Sequence, residues 1–232
     1  MRIQNSLKNV TTGLLGQVLT LVLSFLVRTI FIHQLGATYL GVSGLFGNIL
    51  SILSFAELGF GQAIVYSLYK PIAENNVEKI KSLMYLFKTV YIWMFVIVMV
   101  LGLSLTPVLE FFVHDIDAIP HLRVIYVMYV VSSATTYLFA YKNTYLIATQ
   151  NNYISTIISY YFSVGLALLQ IVILILTQNF LLYLGLQVLS GILQNIVIAK
   201  KTDQKFSFLK DNDIAPLSLE EKTKIRKNGF FR

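Results

Sequence analysis

The residues with chemistry to offer are the charged side chains set in long apolar runs. Arg28 sits within the run Val10–Ile32. An ionisable group at the centre of a membrane helix costs about 2.5–3.5 kcal/mol on insertion scales, so such groups face a cavity, a partner or the interface. At about 100° per residue, Ser24 and Gln17 fall on the face of Arg28. That face is a polar stripe able to hold an anion. Glu57 shares its own face with Ser43, Ser54 and Gly61. Its short side chain cannot reach water from mid-depth, which leaves a structural hydrogen bond or a cavity role. Arg28 lies about 6 Å from the outer end of its run and Glu57 about 14 Å from the inner end of its own, at 1.5 Å per residue. In a core about 30 Å thick their backbones differ in depth by roughly 10 Å. Glu57 is therefore not expected simply to neutralise Arg28. Lys88 and Lys142 sit close to expected inner helix ends and are expected to snorkel.

Two uncharged stripes complete the candidate site. Tyr129, Ser133, Tyr137 and Tyr141 recur at steps of four, and Gln187, Ser190 and Gln194 recur at helical spacing. Such stripes either join helices, at about 0.6 kcal/mol per hydrogen bond, or line a hydrated path. Several in one chain favour a shared aqueous cavity. The candidate substrate contacts are Arg28, Gln17, Ser24, Glu57, Tyr129, Tyr137, Gln187 and Gln194. No catalytic group stands out. The cluster His114, Asp115, Asp117 and His121 matches no metal-ligand spacing and reads as a solvated acidic loop. With no cysteine there is no thiolate nucleophile or thiolate metal site. No G-x-S-x-G, Walker or H-E-x-x-H sequence occurs. No enzyme, metal or cofactor is expected.

Membrane helices must position these groups. The chain is 56% hydrophobic and 12% charged, where a soluble domain carries about 25% charged residues. Its mean hydropathy is +0.70. The expected fold class is all-α, a polytopic six-transmembrane-helix bundle with spans near 10–32, 41–67, 84–106, 123–147, 154–176 and 180–199, each about 20 residues or more. Pro107 should close the third span and Pro120 open the fourth. The Thr177-Gln178-Asn179 link is short enough to force a tight antiparallel hairpin. The first run is too long for a cleaved signal, lacks a small-residue cleavage site and reads as a retained signal-anchor. Arg2, Lys8, Lys70, Lys79, Lys81, Lys200, Lys201, Lys205 and Lys210 then fall on one side of the membrane, with Arg123 facing them among Glu110, Asp115 and Asp117. Positive-inside asymmetry puts both termini in the cytoplasm and accounts for the net charge of +7 without nucleic acid. Residues 200–232 read as a basic cytoplasmic tail or inter-lobe linker, with a helix start at Ser218–Glu221 after Pro216.

Residues 28–76 carry a more specific signal in Gln34-Leu35-Gly36 through Tyr39-Leu40-Gly41, Glu57-Leu58-Gly59-Phe60-Gly61 and Tyr69-Lys70-Pro71-Ile72-Ala73. This stretch resembles the N-terminal region of Wzx-type oligosaccharide flippases, polysaccharide biosynthesis proteins of the multidrug/oligosaccharidyl-lipid/polysaccharide exporter superfamily. The likeness extends from about Asn5 to Lys227, resting beyond its first third on span spacing. It implies the N-terminal one of two helical lobes facing a central cavity, in the bacterial cytoplasmic membrane. It implies as substrate an undecaprenyl-pyrophosphate-linked oligosaccharide, carried outward by alternating access for lipopolysaccharide, capsule or exopolysaccharide export. A cavity cation such as Arg28 would then meet the pyrophosphate, the Tyr and Gln stripes the sugars, and Glu57 would be the candidate for coupling to an ion. The family has roughly twice as many helices, so the expected partner is a missing C-terminal half or a second copy in a homodimer. The alternatives are an inactive remnant or a membrane interaction protein. A membrane glycan polymerase or ligase is disfavoured by the short loop between spans three and four.

Overall fold

The computed structural model describes the backbone of residues 2–54, 60–111 and 119–210, and the side chains of 16–52, 63–109 and 119–209. Eight α-helices make up most of it: α1 (Arg2–Leu35), α2 (Ala37–Ser54), α3 (Phe60–Ala73), α4 (Val77–Ser104), α5 (Leu122–Thr135), α6 (Ala140–Ala148), α7 (Tyr153–Thr177) and α8 (Phe180–Lys205). Among the described residues five stretches are long and apolar enough to cross a membrane: Gly16–Leu35, Val77–Ser104, Leu122–Ala148, Tyr153–Thr177 and Phe180–Lys205. This is an all-α polytopic membrane protein.

The expected count is six, and five qualify among the described residues. Across the run expected as a single span, 41–67, the structure describes two helices, α2 and α3, on either side of residues 55–59. Ala37–Ile52 is apolar but shorter than the five spans. Glu57 lies outside the described residues, as do His114, Asp115, Asp117 and the segment Ser218–Glu221.

Local chemistry sets the corners. Gly36 separates α1 from α2 at φ 88°, a conformation glycine adopts without steric cost. Its N–H donates to the Ile32 carbonyl at 2.9 Å and closes α1. Asn76 caps α4, accepting from the Lys79 N–H at 2.9 Å, and Asn179 caps α8, accepting from Leu182 N–H at 3.1 Å. The link from α7 to α8 is Gln178-Asn179, with Gln178 in the left-handed region at φ 48°. Gln178 Nε2 donates to Gln34 Oε1 at 3.0 Å, tying this hairpin to the end of α1.

Helix direction alternates through α4, α5–α6, α7 and α8, and α1 packs along α7. The turns at 74–76 and 149–152 and the end of α8 therefore share one end of the bundle, where Lys205 Nζ donates to Asn151 Oδ1 at 2.7 Å. Lys70, Lys79, Lys81, Lys200, Lys201 and Lys205 gather at this lysine-rich end. The α7–α8 hairpin marks the other. Each end has its own core: Phe31, Phe46, Tyr126, Leu174 and Phe180 near the hairpin, and Leu68, Leu83, Phe87 and Tyr145 near the lysines. Helix α8 runs to Lys205, six residues past its expected end at 199.

Candidate functional site

Five helices carry a residue at the same depth. Arg28 lies seven residues before the end of α1 and Gln170 seven before the end of α7. Gly44, Tyr129 and Gln187 each lie seven residues after the start of α2, α5 and α8. At 1.5 Å per residue, each is about 10 Å below the hairpin end of the bundle. These residues line one cavity of about 480 Å³. Arg28 is thus deeper than the 6 Å expected, because α1 continues past Ile32 to Leu35.

Ser24 and Thr20, one and two turns back along α1, extend the polar side of this cavity. Phe31, Leu166 and Ala167 form an apolar side. Gln170 is buried, and its Nε2 donates to the Tyr183 carbonyl at 3.5 Å. The Tyr129 ring is held edge-on by Phe46 at 5.8 Å between centroids. Arg28 lines the cavity, is exposed, and pairs with no described residue. A lone guanidinium with polar neighbours and low-dielectric walls attracts an anion more strongly than it would in water.

A second cavity, of about 420 Å³, lies nearer the lysine-rich end. Tyr137 and Gln194 line it, together with Asn143, Ser159 and Tyr160. Gln194 Nε2 donates to Ser159 Oγ at 3.1 Å across α7 and α8.

The single expected site is therefore two. Ser24, Arg28, Tyr129 and Gln187 meet in the first cavity, Tyr137 and Gln194 in the second. Gln17 is exposed on α1 and lines neither, because it lies one turn beyond Thr20, where the cavity ends. Sequence reasoning passed over Gln170 in one site, and Asn143 and Ser159 in the other, and it set Ser43 on the face of Glu57 rather than with Arg28. The signal was there on α7: Thr156, Ser159, Ser163 and Gln170 recur at the helical period.

Neither lysine behaves as expected. Lys142 pairs with Asp203 Oδ2 at 2.5 Å, the two side chains 14% and 17% exposed. Lys88 is exposed eleven residues into α4, about 16 Å from its start, since α4 begins at Val77 rather than near 84. Among the described residues no three His, Cys, Asp or Glu are grouped so as to hold a metal ion. Compared with known proteins, the chain matches no protein-family model, no curated protein and no solved structure.

Proposed function

We propose that this chain is a transporter that moves an anionic lipid-linked saccharide, undecaprenyl-pyrophosphate oligosaccharide, across the bacterial cytoplasmic membrane for polysaccharide synthesis. One observation carries the reading: an arginine that pairs with no described residue, about 10 Å inside the bundle, lines a cavity with hydroxyl and amide side chains from five helices. An arginine left unpaired at membrane depth is costly, and an anionic ligand offsets that cost. Its planar fork of five donors suits a phosphate oxygen pair better than a point charge would. The glutamines and tyrosines around it match phosphate oxygens and sugar hydroxyls as neutral donors and acceptors.

The resemblance of residues 28–76 to Wzx-type flippases supports the same reading. With the lysine-rich end cytoplasmic by the positive-inside rule, the Arg28 cavity lies in the outer half of the membrane. The exposed side of Arg28 calls for a facing wall, supplied by a second lobe or a second copy of the chain.

The test is genetic. In cells whose surface polysaccharide depends on this chain, Arg28→Ala is expected to abolish that polysaccharide while protein level and membrane insertion hold. Unchanged polysaccharide would remove Arg28 from the mechanism.

A further inference from the structure

The span Leu122–Ala148 leaves the α-helix at the 3-10 turn Thr136–Phe139, with α5 before it and α6 after. The turn begins fourteen residues in, about 20 Å from the start of the span and so near its middle. Thr135 Oγ1 donates to the Ser132 carbonyl at 3.1 Å and Thr136 Oγ1 to the Ser133 carbonyl at 2.7 Å, bonds of a kind that bend helices. A 3-10 stretch inside a helix often marks a hinge. The packing changes at the same place. Ile125, Tyr126 and Val130 of α5 belong to the core near the hairpin, whereas Ala134, Tyr137, Tyr145 and Ala148 belong to the core near the lysines.

Beyond the turn, α6 is an arm with two unlike sides. The core near the lysines draws its buried residues from α3, α4 and the stretch from the end of α5 through α6, and none among the described residues comes from α7 or α8. Toward those two helices α6 faces the second cavity, which Ala140 and Asn143 line from α6, Ser159 from α7, and Gln194 and Ile198 from α8. Past the cavity the arm is fastened. Lys142 pairs with Asp203, five residues beyond Ile198 and so about 7 Å nearer the lysine-rich end. Asp203 Oδ1 has no hydrogen-bond partner, so one oxygen carries the contact. About one turn on, the Tyr145 ring meets Phe206 at 4.9 Å and Phe208 at 6.2 Å, both edge-on, from the segment that follows α8. A buried ion pair adds little net stability over an apolar contact, and its best-attested uses are registration and switching.

We infer that α6 is a gate over the second cavity, hinged at Thr136–Phe139 and latched to α8 by the Lys142–Asp203 pair. With the pair made, α6 and α8 are held together on the lysine-rich side of the cavity. With the pair separated and both charges hydrated, α6 swings away from α8 and the cavity opens toward that end. A bend of about 20° in this nine-residue arm, about 13 Å long, moves its far end by about 5 Å. The gate does not depend on what Arg28 binds. Along α7, Ser159 beside the gate and Gln170 in the Arg28 cavity are eleven residues apart, about 16 Å.

The chain lacks cysteine, so pairs of spin labels can be introduced without removing native thiols. Ile147→Cys with Gln204→Cys, both exposed and each one residue from the lysine-rich end of its helix, spans the latch. Val124→Cys with Leu182→Cys, exposed near the hairpin ends of α5 and α8, is the control. Val124→Cys with Ile147→Cys spans the hinge. Distances are measured by double electron–electron resonance on the full chain in lipid nanodiscs. Asp203→Asn and, independently, Lys142→Gln are expected to lengthen the latch distance by about 5 Å, to change the hinge distance and to leave the control unchanged. Lys142→Asp with Asp203→Lys is expected to restore the closed distance. A latch distance that neither single substitution moves, or that the exchanged pair does not restore, would overturn the gate. So would a control distance that shifts or is lost with it, since the ion pair would then support the whole bundle. An unchanged hinge distance would put the movement in α8 and overturn the hinge.

Discussion

An amine and a carboxylate, Lys142 and Asp203, meet between α6 and α8 with little access to solvent, and Asp203 Oδ1 has no hydrogen-bond partner. Breaking such a pair leaves one uncompensated buried charge, which costs about 3–5 kcal/mol. Asp203→Asn is expected to lower stability by that amount in equilibrium unfolding from bicelles, and Lys142→Asp with Asp203→Lys to recover most of it. If the single substitution is neutral, or the exchanged pair no better than either change alone, the ion pair does not hold α6 to α8. The pairing was not legible in the sequence for a definite reason. Asp203 lies 61 residues from Lys142, in a charged stretch expected to be tail, and only the extension of α8 to Lys205 brings it into the bundle. Arg28 was legible because a charge in an apolar run is costly wherever the helix ends. Its neighbours Ser24, Tyr129 and Gln187 were legible as polar stripes, but periodicity on α1 alone could not say that the cavity stops at Thr20 and excludes Gln17.

Helices α1 and α7 owe their close approach to a missing side chain. A Cβ built on Gly16 would fall 1.8 Å from the Tyr160 ring, far inside contact distance. Small residues let membrane helices pack where no hydrophobic force between helices is available. At the α4–α5 contact, Gly102 lies under Val130, and Tyr126 Oη donates to the Gly102 carbonyl at 2.9 Å. Gly16→Ala is expected to destabilise the bundle by about 1–3 kcal/mol through overpacking. Combining it with Tyr160→Ala should return part of that loss, read by the same unfolding measurement as a coupling between the two sites. Additive effects would show that the ring and the glycine do not touch. The sequence marks long apolar helices clearly, because hydropathy integrates over some 20 residues. It marks their interruptions poorly. The 3-10 turn Thr136–Phe139, between α5 and α6, has neither Gly nor Pro to announce it, only hydroxyls that donate to the Ser132 and Ser133 carbonyls.

At the scale of the molecule, the five spans bury only 11–28% of their most apolar windows inside the chain. Phe25, Trp93, Tyr161 and Leu176 are all more than 60% exposed. Such surface suits lipid, or a second body packed against the bundle, and explains why composition alone established the fold class. Two cores and two cavities divide the bundle by depth, the Arg28 cavity toward the hairpin end and the other toward the lysines. The central claim is that Arg28 makes the first cavity an anion site for a lipid-linked pyrophosphate. It is tested most directly by equilibrium binding of a polyprenyl-pyrophosphate lipid to the full chain in nanodiscs, comparing the wild type with Arg28→Ala and Arg28→Lys. A charge-assisted hydrogen bond is worth about 1.5–3 kcal/mol, and about 1.4 kcal/mol is tenfold in affinity. The alanine variant should therefore bind at least roughly tenfold more weakly, with lysine in between. Equal affinity for wild type and Arg28→Ala would contradict the account.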